Sequence, residues 1–243
     1  MHDFGNLVYL DLQKTGSTFV SHFLNRTCKL PLVREIKHAR IDGWRYNKRA
    51  FYFITIRHPV TQYSSLFRYG LDRRGGLYER LKKLGKGDLY RGDRDSFNRW
   101  LRFLLDFSNA ALLGEDYERA PVAYNLGFLS FRYLMLSLAR PLRTLSKNPE
   151  SVDVLRFAKD NTIVSHVILN ESLNDGLLKL ATVIKPEYFD QNAVRKFFDG
   201  QARVNASTVN AKEIEGIDDD VRKLIREKER LLLEYYPSST SFD

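Results

Sequence analysis

Apolar and polar positions run along this chain in blocks, and the blocks switch between strand and helix character. Residues 7–12 (LVYLDL) form a run of strand character that stops at the polar turn Gln13-Lys14-Thr15-Gly16. Phe19, Val20, Phe23 and Leu24 then share one face at helical spacing. Residues 51–56 (FYFITI) are a dense β-favouring run, as expected for a strand buried on both faces. The run ends at Arg57, and Pro59 suits the first turn of a helix over 60–69, where its missing N–H would be unpaired anyway. A short strand is expected over 32–36, leading to a loop with His38, and a core strand over 162–169. Ser172, with Asp175 three residues on, reads as a capping-box-like start to a helix through Leu173, Leu177, Leu180, Ala181 and Ile184.

The remaining stretches are more varied. From residue 96, Phe97, Trp100, Leu101, Leu104 and Leu105 trace an amphipathic helix whose aromatic stripe belongs in a core. Residues 124–139 are apolar on nearly all sides with Arg132 inside, which reads as a buried helix or one wall of an acceptor pocket. Residues 71–94 are rich in Gly, Lys, Arg and Asp with little periodicity, and read as a mobile loop or lid. Its Arg73, Arg74, Lys82, Lys83 and Lys86 would suit an anionic acceptor. A polar loop follows at 201–207, and 218–236 closes the chain as a helix with Val221, Leu224, Ile225, Leu232 and Tyr235 inward. Strands alternating with helices imply an α/β fold: a doubly wound parallel sheet of about four or five strands with helices on both faces. Ligands in such a sheet bind at the carboxyl ends of the strands.

Composition narrows the classes. At 243 residues and 43% hydrophobic content, the chain can bury the core of a single domain spanning 1–243. A net charge of +9 favours anionic partners. No aromatic-basic repeat appears, so an anionic cofactor or acidic acceptor is expected rather than nucleic acid. Cys28 is the only cysteine, which excludes an intrachain disulfide and fits a reducing compartment. No basic leader precedes the first apolar run, and no apolar run reaches the ~18 residues of a membrane helix. The expected location is the cytoplasm. The five histidines are scattered, with no metal-ligand spacing, so no metal is expected.

Two stretches carry candidate chemistry. Strand, tight loop and helix at 7–24 place backbone N–H groups and a helix N-terminus around one point, which suits a phosphate. Gly16 lets the backbone approach a ligand, Lys14 supplies a mobile cation, and Ser17 and Thr18 add hydroxyl donors. The triphosphate-binding loop has lysine after its second glycine, whereas Lys14 precedes the only glycine here. Taken alone, 14–18 fits an ordinary strand-to-helix turn as well as an anion cradle. The second stretch is the strand ending in Arg57, whose planar fork can share one phosphate with a hydroxyl two turns into the next helix, that of Ser65.

Together these stretches resemble the sulfotransferase family that uses 3′-phosphoadenosine 5′-phosphosulfate (PAPS). Lys14-Thr15-Gly16-Ser17-Thr18 is similar to the family's loop for the 5′-phosphosulfate, and Arg57 with Ser65 to its clamp on the 3′-phosphate. His58 departs from the family pattern, which has Asp or Asn more often. The resemblance implies a P-loop-like architecture and sulfuryl transfer from PAPS to an acceptor hydroxyl, on a carbohydrate or a glycolipid. It also carries Arg203 and Asn205 over as residues of a loop that closes on the nucleotide. The acceptor's proton calls for a base, assigned to His38, with Glu35 and Glu171 as alternatives. Two other classes remain open: a nucleotide-dependent kinase or other phosphoryl transferase, and a non-catalytic nucleotide binder.

Overall fold

A computed structural model of the chain describes residues 1–41, 46–91, 93–147, 153–199 and 216–236. The chain is α/β and falls into two compact units. One unit holds Met1–Arg57, Leu136–Ala139 and the described chain from Ile163 to Asp199; the other holds His58–Met135, Arg140–Thr162 and the C-terminal helices.

The first unit is built on a five-stranded sheet of β1 (His2–Asp3), β2 (Leu7–Leu10), β3 (Arg34–Glu35), β4 (Phe51–Ile56) and β5 (His166–Leu169), in the order β3-β1-β2-β4-β5. β2, β4 and β5 are parallel, with Leu10 opposite Ile54 and Ile56 opposite Leu169. All four residues of β2 are buried, as are all but the first of β4, which explains why both read as unbroken apolar runs. The sheet is not wholly parallel, contrary to expectation. β1 runs antiparallel between β2 and β3. Gly5 at φ 78° turns β1 into β2, and the Asp3 carboxylate accepts from its N–H at 2.8 Å. A two-residue strand is too short to show a period.

Helix α1 (Ser17–Thr27) joins β2 to the rest of the unit. Its Val20, Phe23 and Leu24 pack with Tyr9 and Phe53 of the sheet, and with Leu177, Phe189, Val194 and Phe197 further along the chain. The last two of these lie on the helix at Gln191–Asp199. The expected strand at 32–36 is regular only over β3, and that at 162–169 only over β5. Ser172 makes no capping bond; a 3₁₀ turn at Asn170–Ser172 leads into the next helix instead.

The helices after α1 are α2 (Pro59–Leu71), α3 (Gly76–Lys83), α4 (Arg94–Leu105), α5 (Ala110–Leu113), α6 (Phe128–Ser137), α7 (Pro141–Ser146) and α8 (Val154–Asn161). They are followed by α9 (Leu173–Lys179), α10 (Gln191–Asp199), α11 (Asp219–Lys228) and α12 (Arg230–Leu233). The 71–94 stretch, read as an irregular loop, contains α3. Only Tyr78 and Leu81 of α3 are buried, so its apolar period is too sparse to see in the sequence. Arg80 fixes α3 by donating to the carbonyls of Ala111 and Leu112, each at 2.8 Å.

α6 is buried on all sides, as its composition suggested. Its Arg132 is satisfied by a bidentate pair with Glu115 and lies 4.1 Å over the Phe128 ring. The closing helix breaks at Glu229, and Tyr235, expected inward, is exposed. Among the described residues, no helix is long and apolar enough to cross a membrane.

Candidate functional site

The carboxyl ends of β2 and β4 lie side by side, and the chemistry-bearing residues of the first unit follow from that edge. After β2 come Asp11, Leu12 and the loop 13–16; after β4 comes Arg57; after β5 come Asn170 and Glu171. β3 runs in the same direction as β2, because both are antiparallel to β1, so His38 also leaves from this edge.

The loop is held from beneath by a chain of hydroxyls. Thr15 Oγ1 donates to the Leu12 carbonyl at 2.7 Å and lies 2.8 Å from Thr55 Oγ1, which lies 2.7 Å from the Tyr9 hydroxyl. All three residues are fully buried. The Thr15 side chain therefore anchors the loop and leaves only its backbone for a ligand. Burial, then the charge of Asp11, raises the Tyr9 pKa, so the phenol keeps its proton.

Gly16 is the N-cap of α1 at φ 90°, a conformation that favours glycine. Its second role differs from the expected one. A Cβ here would lie 2.7 Å from Leu173 Cδ2 and 2.8 Å from Asn170 Nδ2, so the bare backbone admits the segment after β5 rather than a ligand. The Gly16 carbonyl accepts from the N–H groups of Phe19 and Val20, and the first turn of α1 holds no acidic residue. That leaves the amides of Ser17 and Thr18 outside the helical ladder, where the helix dipole favours an anion. Thr18 is exposed and Ser17 half-buried. Lys14 sits at φ 64°, an uncommon conformation for a residue with a side chain.

His38 is tied to the same strand end. Its Nδ1 lies 2.9 Å from the Asp11 carbonyl oxygen and 3.4 Å from Asp11 Oδ2. The other histidines are placed elsewhere. His2 is buried, 3.1 Å from Glu35 Oε1 and stacked on Tyr9, which also engages the alternative base Glu35. Burial lowers the pKa of His166, with Lys179 adding to the effect, so its imidazole is neutral. His22 is exposed on α1, and His58 is buried in the second unit against Tyr236. Burial pushes the Cys28 thiol up, away from nucleophile behaviour.

The structure thus brings Lys14, Gly16, Ser17, Thr18, Arg57 and His38 to one sheet edge. Ser65 is half-buried in α2 and belongs to the second unit. Arg203 and Asn205 lie outside the described residues. The sequence reading missed Asp11 as the partner of His38, and Thr55 and Tyr9 as supports of the loop. A carboxylate directly after four buried apolar residues was the available signal for Asp11. Among the described residues, no group of three or more His, Cys, Asp or Glu is placed to hold a metal ion. Comparison of the chain with family models, curated proteins and solved structures gives no match in any of the three.

Proposed function

We propose that the protein is a sulfotransferase that moves a sulfuryl group from PAPS to an acceptor hydroxyl, on a carbohydrate or a glycolipid. The observation that carries this reading is the convergence, at one edge of parallel strands, of a lysine-bearing loop before a helix, an arginine after the neighbouring strand, and a tethered histidine. The residues fit an anionic nucleotide. The first turn of α1 offers amides outside the helical ladder and holds no acidic residue, and Arg57 offers a planar fork.

PAPS supplies the sulfuryl group: the acceptor oxygen bonds to sulfur as the bond from sulfur to the 5′-phosphate oxygen breaks. Lys14 and the α1 amides answer the negative charge on that phosphate oxygen. Arg57 grips the 3′-phosphate and so holds the reacting end in line. His38 Nε2 takes the proton of the acceptor hydroxyl. Ser65, Arg203 and Asn205 enter through the family resemblance alone. On this reading the sheet is a P-loop-like, doubly wound core with β1 and β3 added at its edge, and the enzyme works in the cytoplasm without a metal.

The test is transfer of label from PAPS carrying ³⁵S to a mixture of polysaccharide and glycolipid acceptors, in the presence of chelator. The expected result is labelled acceptor and stoichiometric 3′-phosphoadenosine 5′-phosphate. Label moving from γ-³²P ATP only when magnesium is supplied would replace this reading with a kinase.

A further inference from the structure

We infer that Asp11 is the positioning residue of the proton-accepting histidine: its carbonyl fixes the ring tautomer of His38, and its carboxylate holds the imidazolium that forms. This rests on the sulfotransferase reading for the reaction, and on geometry alone for the pairing.

A main-chain carbonyl can only accept a hydrogen bond. The 2.9 Å contact from His38 Nδ1 to the Asp11 oxygen therefore requires the proton of the neutral ring to be on Nδ1. The lone pair is then on Nε2, the nitrogen turned away from Asp11. When Nε2 accepts the acceptor's proton, the ring becomes a cation whose Nδ1 is 3.4 Å from a carboxylate oxygen. The Asp11 side chain is 3% exposed, against 36% for His38, so water screens the attraction less than at an open surface. The proton passes from acceptor oxygen to Nε2 and leaves from Nε2 to water after the product departs.

Two further features support a built pair. His38 sits at φ 54°, a conformation that costs free energy in a non-glycine residue and persists where the surroundings fix it. Asp11 Oδ1 is buried without a hydrogen-bond partner, so the carboxylate draws its compensation from charge. The Asp11 charge also acts on the Met1 ammonium, His2 and Tyr9. Burial lowers the first two, which donate or bond to Ile36 and Glu35, and burial raises the third. Among the described residues, His38 alone is at ion-pair distance from Asp11.

Three measurements decide the matter. In the parent protein, ¹⁵N resonances of His38 in its neutral form should show a protonated Nδ1 and a bare Nε2; the opposite tautomer overturns the inference. In Asp11→Asn, the ¹⁵N resonance of Nδ1 in the protonated His38 ring should move from its position in the parent, because the carboxylate oxygen 3.4 Å away is lost, and an unmoved resonance again overturns the inference. Neither readout needs turnover, so both stand even if PAPS is not the donor, an outcome that would sink only the proposed reaction. Where turnover is measured, Asp11→Asn should lower kcat by about 10- to 100-fold with KM for PAPS nearly unchanged. In a His38→Gln background the same substitution should cost nothing more. Equal losses in both backgrounds would make Asp11 merely structural.

Discussion

Lys14 and His38, the two side chains assigned to the chemistry, both occupy left-handed backbone conformations, at φ 64° and 54°. Replacing Lys14 with Met keeps the length of the side chain and removes its charge. The expected result is a fall in kcat of about 10²–10³-fold, as for loss of one transition-state donor, measured by steady-state sulfuryl transfer. His38→Gln should cut kcat by roughly 10²–10⁴-fold while leaving the affinity for 3′-phosphoadenosine 5′-phosphate nearly unchanged. A His38 variant with most of its kcat would move the base to Glu171, since Glu35 is engaged by His2. At this scale the sequence showed where charge interrupts apolar runs, and so exposed Lys14 and Arg57. It could not show that the loop carrying His38 returns to Asp11 from 27 residues further on. Nor could it show that Thr15 turns inward, because an exposed and a buried threonine are written alike.

At the scale of elements, the loop before α1 is tied to β4 by the hydroxyls of Thr15 and Thr55. Thr15→Val keeps the shape and deletes one Oγ1, leaving the Leu12 carbonyl and Thr55 hydroxyl short of a partner. A loss of about 1–3 kcal/mol in unfolding free energy is expected, read by urea denaturation. Affinity for 3′-phosphoadenosine 5′-phosphate should fall too, although the side chain points away from the ligand. Unchanged affinity with lowered stability would separate the loop's support from its function. Phe23 joins α1 to the sheet and to Phe189 and Phe197, with ring centroids 5.7 and 5.2 Å away. Strands β2 and β4 and helix α1 were legible because long apolar periods specify them. β1 and α3 were not, because two residues, or two inward side chains among eight, leave no period to read.

At the scale of the molecule, the second unit buries an ionisable group that no periodicity revealed. Glu229 sits in the charged run REKER yet is fully buried in the second unit. Its carboxylate accepts from the Tyr63 hydroxyl, from Leu129 N at 3.2 Å and from Ser130 N at 2.8 Å, at the start of α6. Burial raises its pKa to about 7, against the pull of those donors. A carboxyl that holds its proton more tightly when folded loses stability as pH rises from its unfolded value, near 4.5, to about 7. The parent's unfolding free energy should therefore fall across that window, by an amount on the order of 3 kcal/mol. Glu229→Gln should remove the slope from that window. A parent whose stability is flat between pH 5 and 7 would contradict the assignment.

Binding of an anionic nucleotide, its 3′-phosphate held between the Lys14 loop and Arg57, can be read by isothermal titration. 3′-Phosphoadenosine 5′-phosphate should bind the parent protein without added metal and outcompete ATP. Arg57→Lys should weaken it by roughly 1–3 kcal/mol and leave adenosine 5′-phosphosulfate, which lacks the 3′-phosphate, unaffected. Preference for ATP, or an equal loss for both ligands in Arg57→Lys, would rule out a 3′-phosphate site at Arg57.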